Sequence, residues 1–305
     1  MQVHSFLHQD SKTFSHILVG YEGQQPVCAV IDPVLDFNAN SGTTSTQSID
    51  AIINLIENEA WQLKFIMETH AHADHLSGAS YLKQMLGGKL VIGHAITQVQ
   101  KIFKQIYNLD SSFRTDASQF DLLLKDGDKL ILGDISITAL AVPGHTPVDM
   151  AYLAIDNKAS STPIIFVGDT LFAPDVGTAR CDFPGGDAGS LFDSIQKILA
   201  LSEDTTIYLC HDYPPTNRDY CATSTVSAQK QHNIHVKEGT DKQAFIAMRR
   251  ARDRNLDMPK LIIPAVQVNI AAGNLPPPET NGMRYLKMPL NVFGQKAADL
   301  EDQLP

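Results

Sequence analysis

Three histidines and one aspartate lie within six residues of this chain: His70, His72, Asp74 and His75. In an extended segment, residues two apart point to the same side, so His70 and His72 can reach one point. A turn can then present Asp74 and His75 to a neighbouring point. Imidazole and carboxylate groups together suit zinc, iron, manganese or cobalt, whereas packing them without a metal would crowd groups that repel one another once protonated. The spacing therefore predicts a metal site.

The elements on either side place this cluster on a loop. Residues 64–68 are predicted to form a strand, and residues 79–86 a helix that ends at Gly87 and Gly88. Loops that join a strand to a helix commonly display functional side chains on a rigid scaffold.

Three further candidates follow other predicted strands. His145, Asp169 and His211 each come shortly after an apolar run that is predicted to be a strand. Taken singly, each would more often be a turn residue than a ligand. Taken with the first cluster, they indicate that all of these side chains meet at one edge of a sheet.

Composition excludes several classes of function. The 305 residues carry a net charge of −10, and no basic stripe suggests a nucleic-acid partner. No apolar stretch approaches membrane-spanning length, and the N-terminus shows no signal peptide. The four cysteines contain no CxxC pair, so a reducing cytoplasm is the expected location. An anionic substrate would need a local arginine or lysine.

The remaining pattern predicts sheets with helices on their outer faces. Strands come in runs, with helices interspersed rather than strictly alternating. Ser48 and Asp187 are predicted to cap two of the helices. Residues 243–255 are predicted to form a basic helix with a solvated charged face, and Pro259 is expected to end the regular structure.

Together, the candidate ligands resemble the full signature of the metallo-β-lactamase superfamily. These residues are His70, His72, Asp74, His75, His145, Asp169 and His211. The resemblance implies an α/β fold of the α+β type, an αββα sandwich with metals at one edge of its two sheets. It implies a metallo-β-lactamase domain over residues 1–215 and a C-terminal extension, residues 216–305, packed on the same domain.

Finer features resemble the persulfide dioxygenase branch of that superfamily. They are residues 31–34 (IDPV), 69–75 (THAHADH) and 168–172 (GDTLF). Residues 176–183 resemble that branch's arginine-bearing loop but depart from it at Ala179 and Cys181. Residues 183–187 and 264–269 resemble bacterial β-lactamase-like hydrolase proteins that accompany persulfide-oxidising systems.

The branch implies a cofactor and a reaction. One Fe(II) per chain would be held by His70, His145 and Asp169, leaving positions open for substrate and O2. Glutathione persulfide would be oxidised by O2 to sulfite and glutathione.

The other candidates take supporting roles under this resemblance. Tyr213 would hydrogen-bond a bound oxygen or persulfide, and Asp74 would act beside it in catalysis. Arg180 would bind a carboxylate of the glutathione moiety. The remaining ligand-type side chains would orient ligands and waters, or hold a second metal; they are His72, Asp74, His75 and His211.

Alternatives remain open from the sequence alone. A thioester hydrolase of the glyoxalase II type would use the same seven residues to hold two metals, such as zinc, with Asp169 bridging them. The loop that carries Arg180, and the lack of a match to that family's glutathione-binding helical domain, favour the dioxygenase. β-Lactam hydrolysis and a non-enzymatic persulfide or metal sensor have less support. The sequence leaves open a homodimer and the role of Cys181, either a mixed persulfide or a buried structural thiol.

Overall fold

The computed structural model describes residues 1–158 and 161–293. Its strands are β1 (Gln2–His8), β2 (Thr13–Glu22), β3 (Gln25–Ile31), β4 (Val34–Asn38), β5 (Thr43–Ser45), β6 (Gln62–Met67), β7 (Leu76–Ser77), β8 (Lys89–Gly93), β9 (Leu122–Leu124), β10 (Lys129–Leu132), β11 (Ile135–Ala141), β12 (Met150–Asp156), β13 (Ile164–Phe166), β14 (Thr206–Tyr208) and β15 (Thr223–Thr225). Its helices are α1 (Gln47–Asn58), α2 (Ala79–Leu86), α3 (Ile96–Ile106), α4 (Ala188–Leu199), α5 (Val226–His232), α6 (Lys242–Asp253) and α7 (Ile262–Asn269).

Two six-stranded sheets form the centre of the protein. The first has the order β1-β2-β3-β6-β8-β9, antiparallel up to β3 and parallel beyond it. The second has the order β10-β11-β12-β13-β14-β15, in which β13 and β14 are parallel and the other pairs antiparallel. A small sheet, β5-β4-β7, lies beside them.

Three apolar cores define four layers. One core lies between the two sheets, where residues such as Leu18 and Ile31 meet Ile137 and Tyr152. A second core packs α1, α2 and α3 on the first sheet, and a third packs α4 and α6 on the second. Burial of apolar surface on both faces of each sheet stabilises this arrangement. The predicted αββα sandwich is confirmed.

Local sequence explains the ends of several helices. Helix α1 buries Ile49, Ile52, Ile53 and Ile56, spaced so that they form one apolar stripe. Asp187 begins α4 as predicted, with its carboxylate accepting from the amide of Ser190. Local sequence therefore indicates where these helices form, and packing on the sheets stabilises them.

Two predictions about helices were wrong, and a third was correct only in part. Thr46, not Ser48, occupies the N-cap of α1, because Asp36 accepts from both the amide and the hydroxyl of Ser48. In the basic helix, Arg250, Arg252 and Arg254 are exposed as predicted, whereas Arg249 is buried because it forms an ion pair with Asp253. Pro259 does not end the regular structure, since α7 follows it.

The segment after residue 215 packs on both sides of the sandwich. Phe245 of α6 contacts Phe192 of α4, with ring centroids 5.4 Å apart. On the other side, Val268 of α7 joins Leu35 and Leu76 in a small apolar cluster. Residues 294–305 of the predicted extension lie outside the described residues. Among the described helices, none has the length and apolar content needed to cross a bilayer.

Candidate metal centre

His70, His145 and Asp169 converge at the edge of the two sheets. One ligand atom from each lies within 4.8 Å of the others. The Nε2 atoms of His70 and His145 lie 3.8 and 3.5 Å from Oδ2 of Asp169. All three residues are buried. Two imidazoles and one carboxylate therefore face a common point.

A second group lies next to the first. His72, Asp74 and His75 also bring one ligand atom each within 4.8 Å of one another. Nε2 of His211 lies 3.4 Å from Oδ2 of Asp74 and 3.3 Å from Oδ1 of Asp169. Asp169 therefore turns one oxygen toward each group, as a carboxylate that bridges two metal positions would.

Several of these ligand atoms are buried without a hydrogen-bond partner. They are Nε2 of His70, Nδ1 of His72, Nε2 of His75, Nε2 of His211 and Oδ1 of Asp169. A buried polar atom without a partner costs about 1–3 kcal/mol, so five in one place require an explanation. A metal ion supplies it, because the carboxylate oxygen, and each of these nitrogens in its deprotonated form, offers a lone pair that a metal can accept. The residues present thus fit a metal.

Backbone carbonyls orient two of the histidines. Nδ1 of His145 donates to the carbonyl oxygen of Arg180 at 2.8 Å, and Nδ1 of His211 donates to that of Lys12 at 3.2 Å. A carbonyl can only accept, so the proton sits on Nδ1 and the lone pair of Nε2 points into the site. Such outer contacts fix the tautomer and ring orientation of a metal ligand.

Asp32 orients His70 and His72, the first two histidines of the motif. Its Oδ1 accepts from Nε2 of His72 at 3.0 Å, and its Oδ2 accepts from the hydroxyl of Thr69 at 2.9 Å. Because that hydroxyl already donates to Asp32, it accepts from Nδ1 of His70 at 3.1 Å. Glu68 adds a second carboxylate 3.3 Å from Nε2 of His72. Asp32 has a left-handed φ of 51°, a conformation that aspartate tolerates better than most residues.

Burial and neighbouring charges set the protonation of this site. Burial lowers the pKa of His70 well below its usual range and lowers that of His75 to about 4, so both are neutral near pH 7 and suited to metal binding. Burial also opposes charge on His72, but Asp32 and Glu68 outweigh it and raise the His72 pKa well above its usual range. A metal that binds Nδ1 of His72 would therefore displace a proton.

Asn269, at the end of α7, holds the loop that carries the motif. Its Nδ2 donates to the carbonyl oxygens of His72 and His75, each at 2.8 Å. Its Oδ1 accepts from the amide of Ser77 at 2.8 Å. One buried amide thus satisfies three backbone groups on either side of Asp74.

Gly168 lets the strand that ends before Asp169 approach Thr69 closely. Its φ is +53°, and a Cβ there would lie 2.7 Å from Oγ1 of Thr69. Thr69 orients His70. The glycine therefore allows the segment that carries Asp169 to approach the segment that carries His70.

Replacing Gly168 with alanine is expected to displace Thr69, destabilise the protein by roughly 1–3 kcal/mol and weaken metal binding. Thermal unfolding and metal titration measure the two effects. Gly127→Ala is the matched control, because Gly127 has a φ of +85° but nothing lies within 4 Å of the position that its methyl group would take. Equal losses in both variants would attribute the effect to backbone strain rather than to contact with Thr69.

The two predicted substrate-binding residues, Tyr213 and Arg180, lie in different surroundings. Tyr213 is 48% exposed and stacks on His211, with ring centroids 5.8 Å apart. Arg180 is engaged within the protein: Nε and Nη2 donate to Asp182 at 2.5 and 2.6 Å, and Nη1 donates to the carbonyl oxygen of Asp257. The Arg180 guanidinium is therefore already paired, while its carbonyl contacts His145.

Sequence reasoning missed the roles of Asp32, Glu68 and Asn269. Asp32 and Glu68 directly follow β3 and β6 and precede the ligand loop, so the rule that polar residues at strand ends form sites could have found them. Asn269 gives no such signal, because it lies at the end of a mostly apolar helix and does not follow a strand.

Comparison with known proteins identifies the family. Residues 28–211, more than half of the chain, match the family described as the metallo-beta-lactamase superfamily. The chain belongs to the metallo-β-lactamase superfamily. The mixed α/β fold and the seven ligand-type residues agree with this assignment.

Relatives within the superfamily bear different names. Glyoxylase B2 of Dictyostelium discoideum is 44% identical over 295 residues, 96% of this chain and 98% of that protein. A beta-lactamase hydrolase-like protein of Xylella fastidiosa is 47% identical over 87% of this chain and 60% of its own length. The human mitochondrial persulfide dioxygenase ETHE1 is 29% identical over 86% of this chain and 85% of its own length.

A solved structure from the same branch also resembles this chain. The crystal structure of ETHE1 from Myxococcus xanthus has a TM-score of 0.69 and 26% identity, covering 90% of this chain and 100% of that one. The predicted resemblance to the persulfide dioxygenase branch and to β-lactamase hydrolase-like proteins is confirmed.

Proposed function

We propose that the protein is an Fe(II)-dependent persulfide dioxygenase that oxidises glutathione persulfide with O2. The observation that carries the proposal is the convergence of His70, His145 and Asp169 on one point. Two histidines and one carboxylate are the ligand set of non-haem iron oxygenases, which leave positions open for substrate and O2. Per persulfide, one O2 and one water yield sulfite, glutathione and two protons.

The similarity to persulfide dioxygenase ETHE1 supports this reaction. It extends over 86% of the chain and therefore beyond the matched superfamily segment. The fold of the Myxococcus protein matches over 90% of the chain.

Iron(II), when bound by His70, His145 and Asp169, supplies the redox chemistry that zinc lacks. The protein supplies the surroundings. His70 is almost completely buried, and its neutral imidazole is oriented before the substrate arrives. Tyr213 packs against His211 and Phe172 beside the site.

Asp74 is proposed to act in catalysis as an ionised carboxylate. Burial opposes its charge, but His211 and His75 outweigh burial and hold the pKa of Asp74 well below its usual range. Its side chain is 25% exposed, whereas those of His75 and His211 beside it are 1% exposed. This carboxylate is therefore more accessible to water than the two histidines beside it. His75 and His211 lie 3.2 and 3.4 Å from Oδ2 of Asp74 and hold it in place.

Arg180 is proposed to bind a carboxylate of the glutathione moiety after its contact with Asp182 opens. Arg180→Ala is then expected to raise the KM for glutathione persulfide while leaving metal content unchanged, because its carbonyl remains available to His145. Asp182→Asn is the matched variant: it weakens the fork that holds Arg180 and should lower KM. Steady-state kinetics of both variants test this. Unchanged KM in both would assign Arg180 a structural role only.

A dinuclear thioester hydrolase of the glyoxalase II type is the second candidate. Two observations favour it: Asp169 turns one oxygen toward each ligand group, and Glyoxylase B2 is 44% identical over nearly the whole chain. In that case His72, Asp74, His75 and His211 would hold metal directly, and a metal would activate the attacking water.

The deciding experiment combines metal analysis with turnover. Protein purified without oxygen is analysed for metal, then supplied with glutathione persulfide while O2 uptake and sulfite are recorded. We expect one iron per chain and one sulfite per O2 consumed. Two zinc ions per chain, no O2 uptake and rapid cleavage of a glutathione thioester would replace this proposal with the hydrolase.

We also propose a reducing cellular compartment for the protein. All four cysteines are free thiols, which suits a reducing compartment such as the cytoplasm. We propose that residues 216–305 belong to the same domain as residues 1–215; the homodimer stays a prediction.

A further inference from the structure

One peptide group joins a buried carboxylate to a candidate metal ligand. The carbonyl oxygen of Arg180 accepts from Nδ1 of His145 at 2.8 Å. The N–H of the same peptide group, which belongs to Cys181, donates to Oδ2 of Asp253 at 2.9 Å. The two hydrogen bonds lie at opposite ends of one conjugated unit, so they are electronically linked.

Arg249 prepares Asp253 for this role. Its Nε and Nη2 both donate to Oδ1 of Asp253, at 2.9 and 2.6 Å, which leaves Oδ2 for the peptide N–H. Nη1 of Arg249 donates to the carbonyl oxygen of Thr178 at 3.1 Å, fixing the same loop. Arg249 and Asp253 are only 2% and 6% exposed, so their interactions are screened little by water.

Hydrogen bonds in a chain polarise one another, and the effect is larger where the local dielectric constant is low. A carboxylate that accepts from a peptide N–H draws the proton outward and increases electron density on the peptide oxygen. That oxygen then becomes a stronger acceptor for Nδ1–H of His145, and Nε2 of His145 becomes a better electron donor. Metal ligands with carboxylate or carbonyl partners are tuned in this way.

We propose that Asp253 is a positioning residue that orients His145 and raises its donor strength through the Arg180–Cys181 peptide group. The inference rests on the proposed role of His145 as a metal ligand. It assigns part of α6, outside the matched superfamily segment of residues 28–211, to the metal centre. It also gives the arginine-bearing loop, residues 176–183, a role at the metal centre that does not depend on the Arg180 side chain.

Asp253→Asn tests the proposal, because asparagine can still accept from Cys181 but carries no charge. Two readouts are compared with the unmodified protein: the NMR resonance of the His145 Nδ1 proton in the zinc-loaded and metal-free protein, and the dissociation constant for zinc by chelator competition. We expect the resonance to move upfield and zinc affinity to fall roughly tenfold, within the range for residues that support a ligand. Asp241→Asn, at the exposed start of the same helix, is the control and should leave both unchanged.

A lower melting temperature with an unchanged Nδ1 resonance and zinc affinity would overturn the proposal, because Asp253 would then serve folding alone. The double variant Arg249→Gln/Asp253→Asn removes both charges together and avoids an unpaired buried arginine if the single variant does not fold. It should show the same upfield movement and loss of affinity; unmodified values there would equally reject the proposal.

The resonance in the metal-free protein separates this inference from the function. If it moves but His145→Ala retains full metal affinity, the peptide-mediated link exists and the assignment of His145 as a ligand fails. If it does not move while iron and persulfide turnover are present, the proposed function stands and the role of Asp253 fails.

Discussion

Replacing His145 with alanine is expected to abolish both metal binding and turnover. The change removes one of three side chains that converge on a point at the sheet edge, the one whose ring is oriented by the carbonyl oxygen of Arg180. Residues that only support a ligand are worth about 10–100-fold in metal affinity, so loss of a ligand should exceed that. Metal content after anaerobic reconstitution and the rate of sulfite formation measure the two losses.

An exposed histidine provides the control for this substitution. His94 lies at the surface after β8, and His94→Ala should leave metal content and rate unchanged. Retention of stoichiometric iron by the His145 variant would show that the ligand set proposed here is incorrect, even if activity were lost.

Replacing Asn269 with alanine is expected to produce the largest loss of stability among substitutions outside the ligands. It leaves the carbonyls of His72 and His75 and the amide of Ser77 without their partner. At about 1–3 kcal/mol for each buried group left unpaired, the free energy of unfolding should fall by roughly 3 kcal/mol or more. The motif loop would also lose its anchor, so metal affinity should fall about 10–100-fold.

Chemical denaturation of the metal-free protein and chelator competition separate these two effects. Asn274→Ala is the control, since Asn274 makes similar side-chain hydrogen bonds at an exposed position five residues later. A variant at Asn269 that loses stability but keeps metal affinity would show that the loop holds its shape without α7.

Local patterns were sufficient to predict that the candidate ligand residues converge, and to predict several of the elements around them. Asp187 predicted the start of α4, the glycines predicted the end of α2, and the position of each candidate ligand after an apolar run predicted one sheet edge. These signals come from residues close together in the chain, where the spacing alone determines which way each side chain points.

The supporting contacts could not be predicted in the same way. Asn269 meets the carbonyl of His72 across 197 residues, and Asp253 meets Cys181 across 72. In neither pair does the sequence around one residue indicate that the other residue lies next to it in the fold. The basic character of α6 indicated a solvated face, but the burial of Arg249 depends on an aspartate one turn later and on a loop far upstream.

The contact between Asn269 and the motif loop also bears on how the protein matures. A ribosome completes the strand and loop that carry His70 to His75 long before it reaches α7, since nearly 200 residues lie between them. Until α7 emerges and docks, the first four ligands lack the group that fixes their backbone. Metal binding at full affinity should therefore follow the docking of α7 on the motif loop.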